Sequence, residues 1–157
     1  MNARLNFMAS PVALKAMKHI VAATQALAGS SVPASTRELV MLRASQINGC
    51  SGCIDMHTKE AAAAGESDVR LHLVVAWRDA TVFTDAERAA LELAEEGTRI
   101  ADAAGGVPDA VWANAAKYYD DDQLAELVTQ IAIINAFNRA NVMTQQPAGD
   151  YKPGQHG

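Results

Sequence analysis

Helix start and stop signals divide this chain into helix-sized pieces and leave little room for strands. Ser35-Thr36-Arg37-Glu38 and Thr84-Asp85-Ala86-Glu87 both end on a glutamate, as a capping box does. In that device a hydroxyl and the glutamate satisfy the first free amides of a helix. Asn48-Gly49, Gly65 and Gly105-Gly106-Val107-Pro108 supply the stops, with Pro108 suited to a first turn. Between these signals the spacing predicts helices over about 12–27, 35–47, 50–64, 67–77, 84–103, 108–119 and 121–144. Aromatic residues are 5% against 50% hydrophobic residues in all, with abundant Ala. Such a mixture favours closely packed helices over a sheet. The expected fold class is all-α.

A chain of 157 residues suits one domain with a real core. We place that domain at residues 1–146 and read residues 147–157, rich in Pro, Gly and polar side chains, as a mobile tail. Neither a fixed-period repeat nor a second-domain linker is visible. Thirteen basic against eighteen acidic residues give a formal net charge of −5, which argues against a general nucleic-acid binder. The N-terminus lacks the charged-then-apolar pattern of a signal peptide, and no apolar run is long enough to suggest a membrane span. The expectation is a cytoplasmic protein with no nucleic-acid or membrane partner.

Two cysteines are present, and they are three residues apart: Cys50-Ser51-Gly52-Cys53, with His57 four residues on. A disulfide between them closes too short a loop to staple a fold, because that stabilisation grows with the closed length. In a reducing compartment the pair carries chemistry rather than architecture. On a helix, Cys50, Cys53 and His57 share one face. The cysteines fall in the first turn, where free amides and the helix dipole favour a thiolate. An ordinary thiol titrates near about 8.5, and a shift to about 7 would make half of it thiolate at neutrality. His57 could accept the proton or stabilise the anion. A low-pKa thiolate attacks a peroxide oxygen, becomes a sulfenic acid and is resolved by a neighbouring thiol, which this spacing supplies.

The segment Glu38-(x4)-Arg43-x-Ser45-x2-Asn48-x-Cys50-x2-Cys53-x3-His57 resembles the signature of the AhpD-like alkylhydroperoxidases within the carboxymuconolactone decarboxylase family. Trp77-Arg78, Thr84-x2-Glu87-Arg88-Ala89-Ala90-Leu91 and Ile134-Asn135-Ala136-Phe137-Asn138-Arg139 also look like that family. The resemblance spans roughly residues 5–142. It implies an all-helical fold and a homo-oligomer, trimer or hexamer. It also implies Cys53 as the thiol that attacks a hydroperoxide, Cys50 as its partner in the disulfide, and Glu38 with His57 as a proton relay. No cofactor is implied, and electrons come from an external dithiol or reductase. The best-studied branch has a second histidine immediately before the second cysteine, where this chain has Gly52.

The residues taken alone leave alternatives open. A thioredoxin analogy makes Cys50 the exposed nucleophile of a thiol–disulfide oxidoreductase. A redox-sensing oligomeric module would titrate its dithiol without turnover. Glu38, at the end of a capping-box pattern, could be a helix-start residue. Cys50, Cys53 and His57 could give a metal three ligands, but no second ligand pair is visible, and no metal is expected. His19, His72 and His156 carry no partner pattern. Trp77, Trp112, Tyr118, Tyr119 and Phe137 read as core or subunit-contact residues. Asp120-Asp121-Asp122 reads as a solvated helix start.

Overall fold

Every regular element of the computed structural model, which describes residues 2–155, is helical. His156 and the final position of the predicted tail lie outside the described residues. The helices are α1 (Pro11–Ala26), α2 (Ala34–Asn48), α3 (Ser51–Ala63), α4 (Asp68–Leu73), α5 (Asp85–Thr98), α6 (Asp109–Ala115) and α7 (Asp121–Thr144). Short 3-10 turns occupy Phe7–Ala9, Leu27–Gly29 and Val74–Ala76.

Helix α2 is the axis of the molecule. It buries Leu39, Val40, Leu42, Arg43, Ala44 and Ser45, and so lacks a broad solvent face. Its neighbours are α3, α5 and α7. Leu39 and Val40, adjacent in sequence, point into different apolar clusters. One holds Val40, Ala90, Leu93, Leu127 and Ile131; the other holds Leu39, Leu42, Leu71, Trp77 and Leu91. Each fully buried Val or Leu stabilises the fold by about 1.5–3 kcal/mol relative to exposure. The cores thus hold α2 from two sides and fix where its C-terminal end delivers the chain.

Most helix starts follow from the signals in the sequence. Thr84 and Glu87 form the expected capping box at α5, and Asp120 with Gln123 forms another at α7. At α2 the outcome differs. The helix begins at Ala34, with Pro33 as its N-cap and no side-chain cap, so Ser35-Thr36-Arg37-Glu38 is not a capping box. Proline is preset near helical φ and lacks the amide a helix start leaves unpaired, which moves the start upstream. Glu38 therefore sits one turn inside the helix. Helix α5 ends at Thr98 rather than near 103, and α6 at Ala115 rather than near 119.

Helix α1 has no buried residue. Its half-buried Leu14, Met17 and Ile20 recur at helical spacing, while Val12 is 80% exposed. No described helix is long and apolar enough to cross a membrane.

Candidate functional site

The site begins where α2 stops. Gly49 ends the helix in the left-handed region (φ 65°), a conformation open to glycine and costly for a residue with a Cβ. The Cys50 amide then donates back to the Ser45 carbonyl (3.0 Å). Asn48 is clamped from α7: its Nδ2 donates to Asn135 Oδ1 and to Asn138 Oδ1, each at 2.9 Å. Asn138 Nδ2 donates in turn to Ser45 Oγ (3.1 Å), and Asn135 Nδ2 to Thr98 Oγ1 on α5 (3.1 Å). Three helices thus share one buried polar network at the turn that presents the cysteines. Satisfied networks of this kind specify a single arrangement.

Cys50 is the N-cap of α3, and its Sγ accepts from the Cys53 amide (3.3 Å). The two sulfurs are bonded as a disulfide, with Cα atoms 5.3 Å apart. Both residues are at most 2% exposed. Cys53 lies in the first turn, at the positive end of the helix dipole. Its Sγ also accepts a hydrogen bond from Asn141 Nδ2 (3.3 Å), near the C-terminal end of α7.

One turn after Cys53, His57 is buried at 6% exposure. Its Nδ1 lies 3.0 Å from Glu38 Oε2 across the α2–α3 contact. A carboxylate facing Nδ1 favours the tautomer with its proton there, leaving the lone pair on Nε2. That Nε2 is buried without a hydrogen-bond partner among the described residues. Glu38, released from helix capping, is therefore the group that orients the imidazole. The structure joins Cys50 to Cys53 and Glu38 to His57, and it places His57 one turn after Cys53 on α3. Among the described residues, no group of three His, Cys, Asp or Glu side chains is placed to hold a metal ion.

A cavity of about 360 Å³ opens beside the disulfide, lined by Cys50, Ser51, Asn141, Gln145 and Pro147, among others. Gln145, in the left-handed region (φ 53°), ends α7 and turns the chain back. Residues 147–155 then lie along α3. Asp55 Oδ2 accepts from the amides of Gly149 (2.7 Å) and Tyr151 (3.3 Å), and Lys59 Nζ donates to both carbonyls (2.8 and 3.0 Å). Glu60 accepts from the Tyr151 hydroxyl and from the Gly154 amide (2.8 Å). The Lys59 bond, with those amides, holds the Asp55 carboxyl below its ordinary range. Burial and the neighbouring Glu60 push the Tyr151 phenol up to about 12. Polar side chains at the spacing of Asp55, Lys59 and Glu60 gave no sign that a tail would lie on them. Asn141 and this segment are the parts of the site that sequence reasoning missed.

A second polar cluster stands behind α2. Glu95 Oε2 accepts from Arg43 Nε (3.1 Å) and Nη2 (2.9 Å) and from the Trp77 indole (3.0 Å); Arg78 lies 3.2 Å away. Burial alone would raise the Glu95 pKa, but the indole and the Arg43 guanidinium outweigh it and hold it below its ordinary range. This cluster ties α2 to α5 and the α4–α5 connection. Its residues Arg43, Trp77 and Arg78 are among those that carried the family resemblance.

Comparison with known proteins agrees with that resemblance. The sequence profile of the carboxymuconolactone decarboxylase family matches residues 11–96. The uncharacterised protein YdfG of Bacillus subtilis is 41% identical over 113 residues, covering 72% of this chain and 76% of YdfG. A crystal structure from Agrobacterium tumefaciens superposes with a TM-score of 0.87 at 32% identity, covering 96% of this chain and 100% of that one. It is a protein of unknown function for which the role of antioxidant defence protein AhpD has been put forward. The debrominase Bmp8 superposes with a TM-score of 0.74 at 19% identity, covering 89% of this chain and 73% of its own, a likeness of fold alone.

Proposed function

The chain belongs to the carboxymuconolactone decarboxylase family and has the AhpD-like fold, and from that premise we propose that it is a thiol-dependent peroxidase. The observation that carries this reading is the Cys50–Cys53 pair at the start of α3, one turn ahead of a histidine oriented by Glu38. In the reduced state, the Cys53 thiolate attacks the outer oxygen of a hydroperoxide. The O–O bond breaks, Cys53 becomes a sulfenic acid and the alcohol leaves after protonation. Cys50 then attacks the Cys53 sulfur, expelling water and forming the disulfide. His57 takes and returns the protons through Nε2, held in the right tautomer by Glu38. An external dithiol or reductase restores both thiols, so the chain's own chemistry calls for no cofactor. Between turnovers the site needs a reducing compartment such as the cytoplasm. A homotrimer or homohexamer belongs to this reading as what the family resemblance implies, and the half-buried stripe of α1 offers an apolar face for another copy.

The test is consumption of tert-butyl hydroperoxide and hydrogen peroxide by the metal-stripped protein with excess dithiothreitol. We expect many equivalents per chain, and none above background for Cys50→Ser or Cys53→Ser. Retained turnover in Cys53→Ser would sink the assignment. One observation favours a second reading. The cavity is lined by Cys50 rather than Cys53, the placement expected of a disulfide that exchanges with an incoming thiol at Cys50. A single stoichiometric oxidation by peroxide, with rapid exchange against a dithiol, would favour that oxidoreductase.

A further inference from the structure

The two sulfurs of the disulfide have different surroundings. Cys50 Sγ accepts from a backbone amide of its own helix, whereas Cys53 Sγ accepts from the side chain of Asn141, 88 residues away on α7. Among the described residues, Asn141 is the one side-chain donor to either sulfur. Its placement follows from the same face of α7 that clamps the cysteine turn. Asn135, Asn138 and Asn141 recur every third residue; the first two fix Asn48, and the third reaches the sulfur. Asn141 also lines the cavity beside Cys50.

A hydrogen bond to the charged form of a group favours that form, and it strengthens when the acceptor is an ion. Asn141 Nδ2 meets little charge on the disulfide. After reduction it faces the sulfur that becomes the thiolate. We propose that Asn141 is a further catalytic residue of the dithiol site, which holds the Cys53 thiolate by donating from Nδ2. The same bond serves in both directions of the cycle. It stabilises Cys53 before attack. When an external thiolate attacks Cys50 from the cavity, a new S–S bond forms, the Cys50–Cys53 bond breaks, and Cys53 leaves with the electron pair onto the waiting amide. This inference rests on dithiol chemistry at Cys53, and its first readout needs no peroxide.

The experiment is the pH dependence of iodoacetamide alkylation of reduced protein carrying Cys50→Ser, so that only Cys53 reacts. Adding Asn141→Ala should raise the midpoint by about one to two pH units, as for a lost hydrogen bond to a charged group. Alkylation at neutral pH should fall about tenfold or more, since each unit is a factor of ten in thiolate below the midpoint. Asn141→Asp keeps the shape while replacing the donor with a carboxylate, so its midpoint should rise further. This isosteric variant decides the matter if the alanine form folds poorly. In a Cys53→Ser background, alkylation of Cys50 should be unmoved by Asn141→Ala. Profiles that superimpose with and without Asn141 would overturn the proposal, as would equal shifts at Cys50 and Cys53, which a merely loosened α7 would produce. Absent peroxide turnover with a shifted Cys53 profile would reject the peroxidase and keep Asn141.

Discussion

Glu38 shows how one residue can carry two sequence signals that point in different directions. Its place in a capping-box pattern suggested a helix start, while its match to the family signature suggested a relay. Helix α2 begins upstream at Ala34, the box does not form, and the carboxylate faces His57 Nδ1 at 3.0 Å. A buried imidazole with one nitrogen so held has its other nitrogen available for a proton. Glu38→Ala should lower kcat/KM for tert-butyl hydroperoxide by about 10²-fold, at the lower end of what proton transfer contributes. Steady-state rates across pH, alongside unchanged helical circular dichroism, check this; a rate within about twofold of the parent would remove Glu38 from the relay. The pairings of Cys50 with Cys53 and of Glu38 with His57 follow spacings visible in the sequence, although Cys50 proves to be the N-cap of α3 rather than a residue of its first turn. Asn141 had no such signal. No local pattern says that a side chain on α7 will meet a sulfur on α3, since that contact exists only once both helices have packed on α2.

The helix starts were easier to read than the helix ends. Thr84 and Asp120 cap their helices with side chains close in sequence, so the signal is local. The ends of α5 and α6 carry no such signal, and both helices stop about a turn before the sequence pattern suggested. Thr98, the last residue of α5, is held by Asn135 from α7. The element scale also shows what Glu95 does. Its folded pKa lies below the ordinary value. Its contribution is therefore complete above the unfolded carboxyl range, near about 4.3, and is lost as pH falls through the lower folded value. Glu95→Gln should flatten that acid limb of the stability curve without abolishing it, because Glu87, bonded to Arg70, is shifted in the same direction. At neutral pH the variant leaves the buried Arg43 without its carboxylate and should cost about 3–5 kcal/mol. Denaturant unfolding at several pH values measures both effects; parallel curves for parent and variant would show that Glu95 is not the group that titrates.

At the scale of the whole molecule, the class of fold was legible from punctuation and composition, and the two-sided burial of α2 was not. A helix packed on nearly every side loses the periodic apolar stripe that sequence reading depends on. Helix α1 has the opposite character, a half-covered stripe of Leu14, Met17 and Ile20 with nothing of this chain burying it fully. If copies of the chain cover it, light scattering should give a mass of a trimer or hexamer, and Ile20→Asp should shift the distribution toward the monomer. A monomeric parent would remove α1 as the assembly face. Near the site the Arg4 amide donates to the Thr144 carbonyl at the end of α7 (2.8 Å), and from Pro147 the chain follows α3 away from the cysteine turn, reaching Glu60 at Gly154. A purification handle placed before Arg4 would therefore start close to the C-terminal end of α7, one turn from the Asn141 that reaches Cys53. Kinetic comparisons need that handle removed.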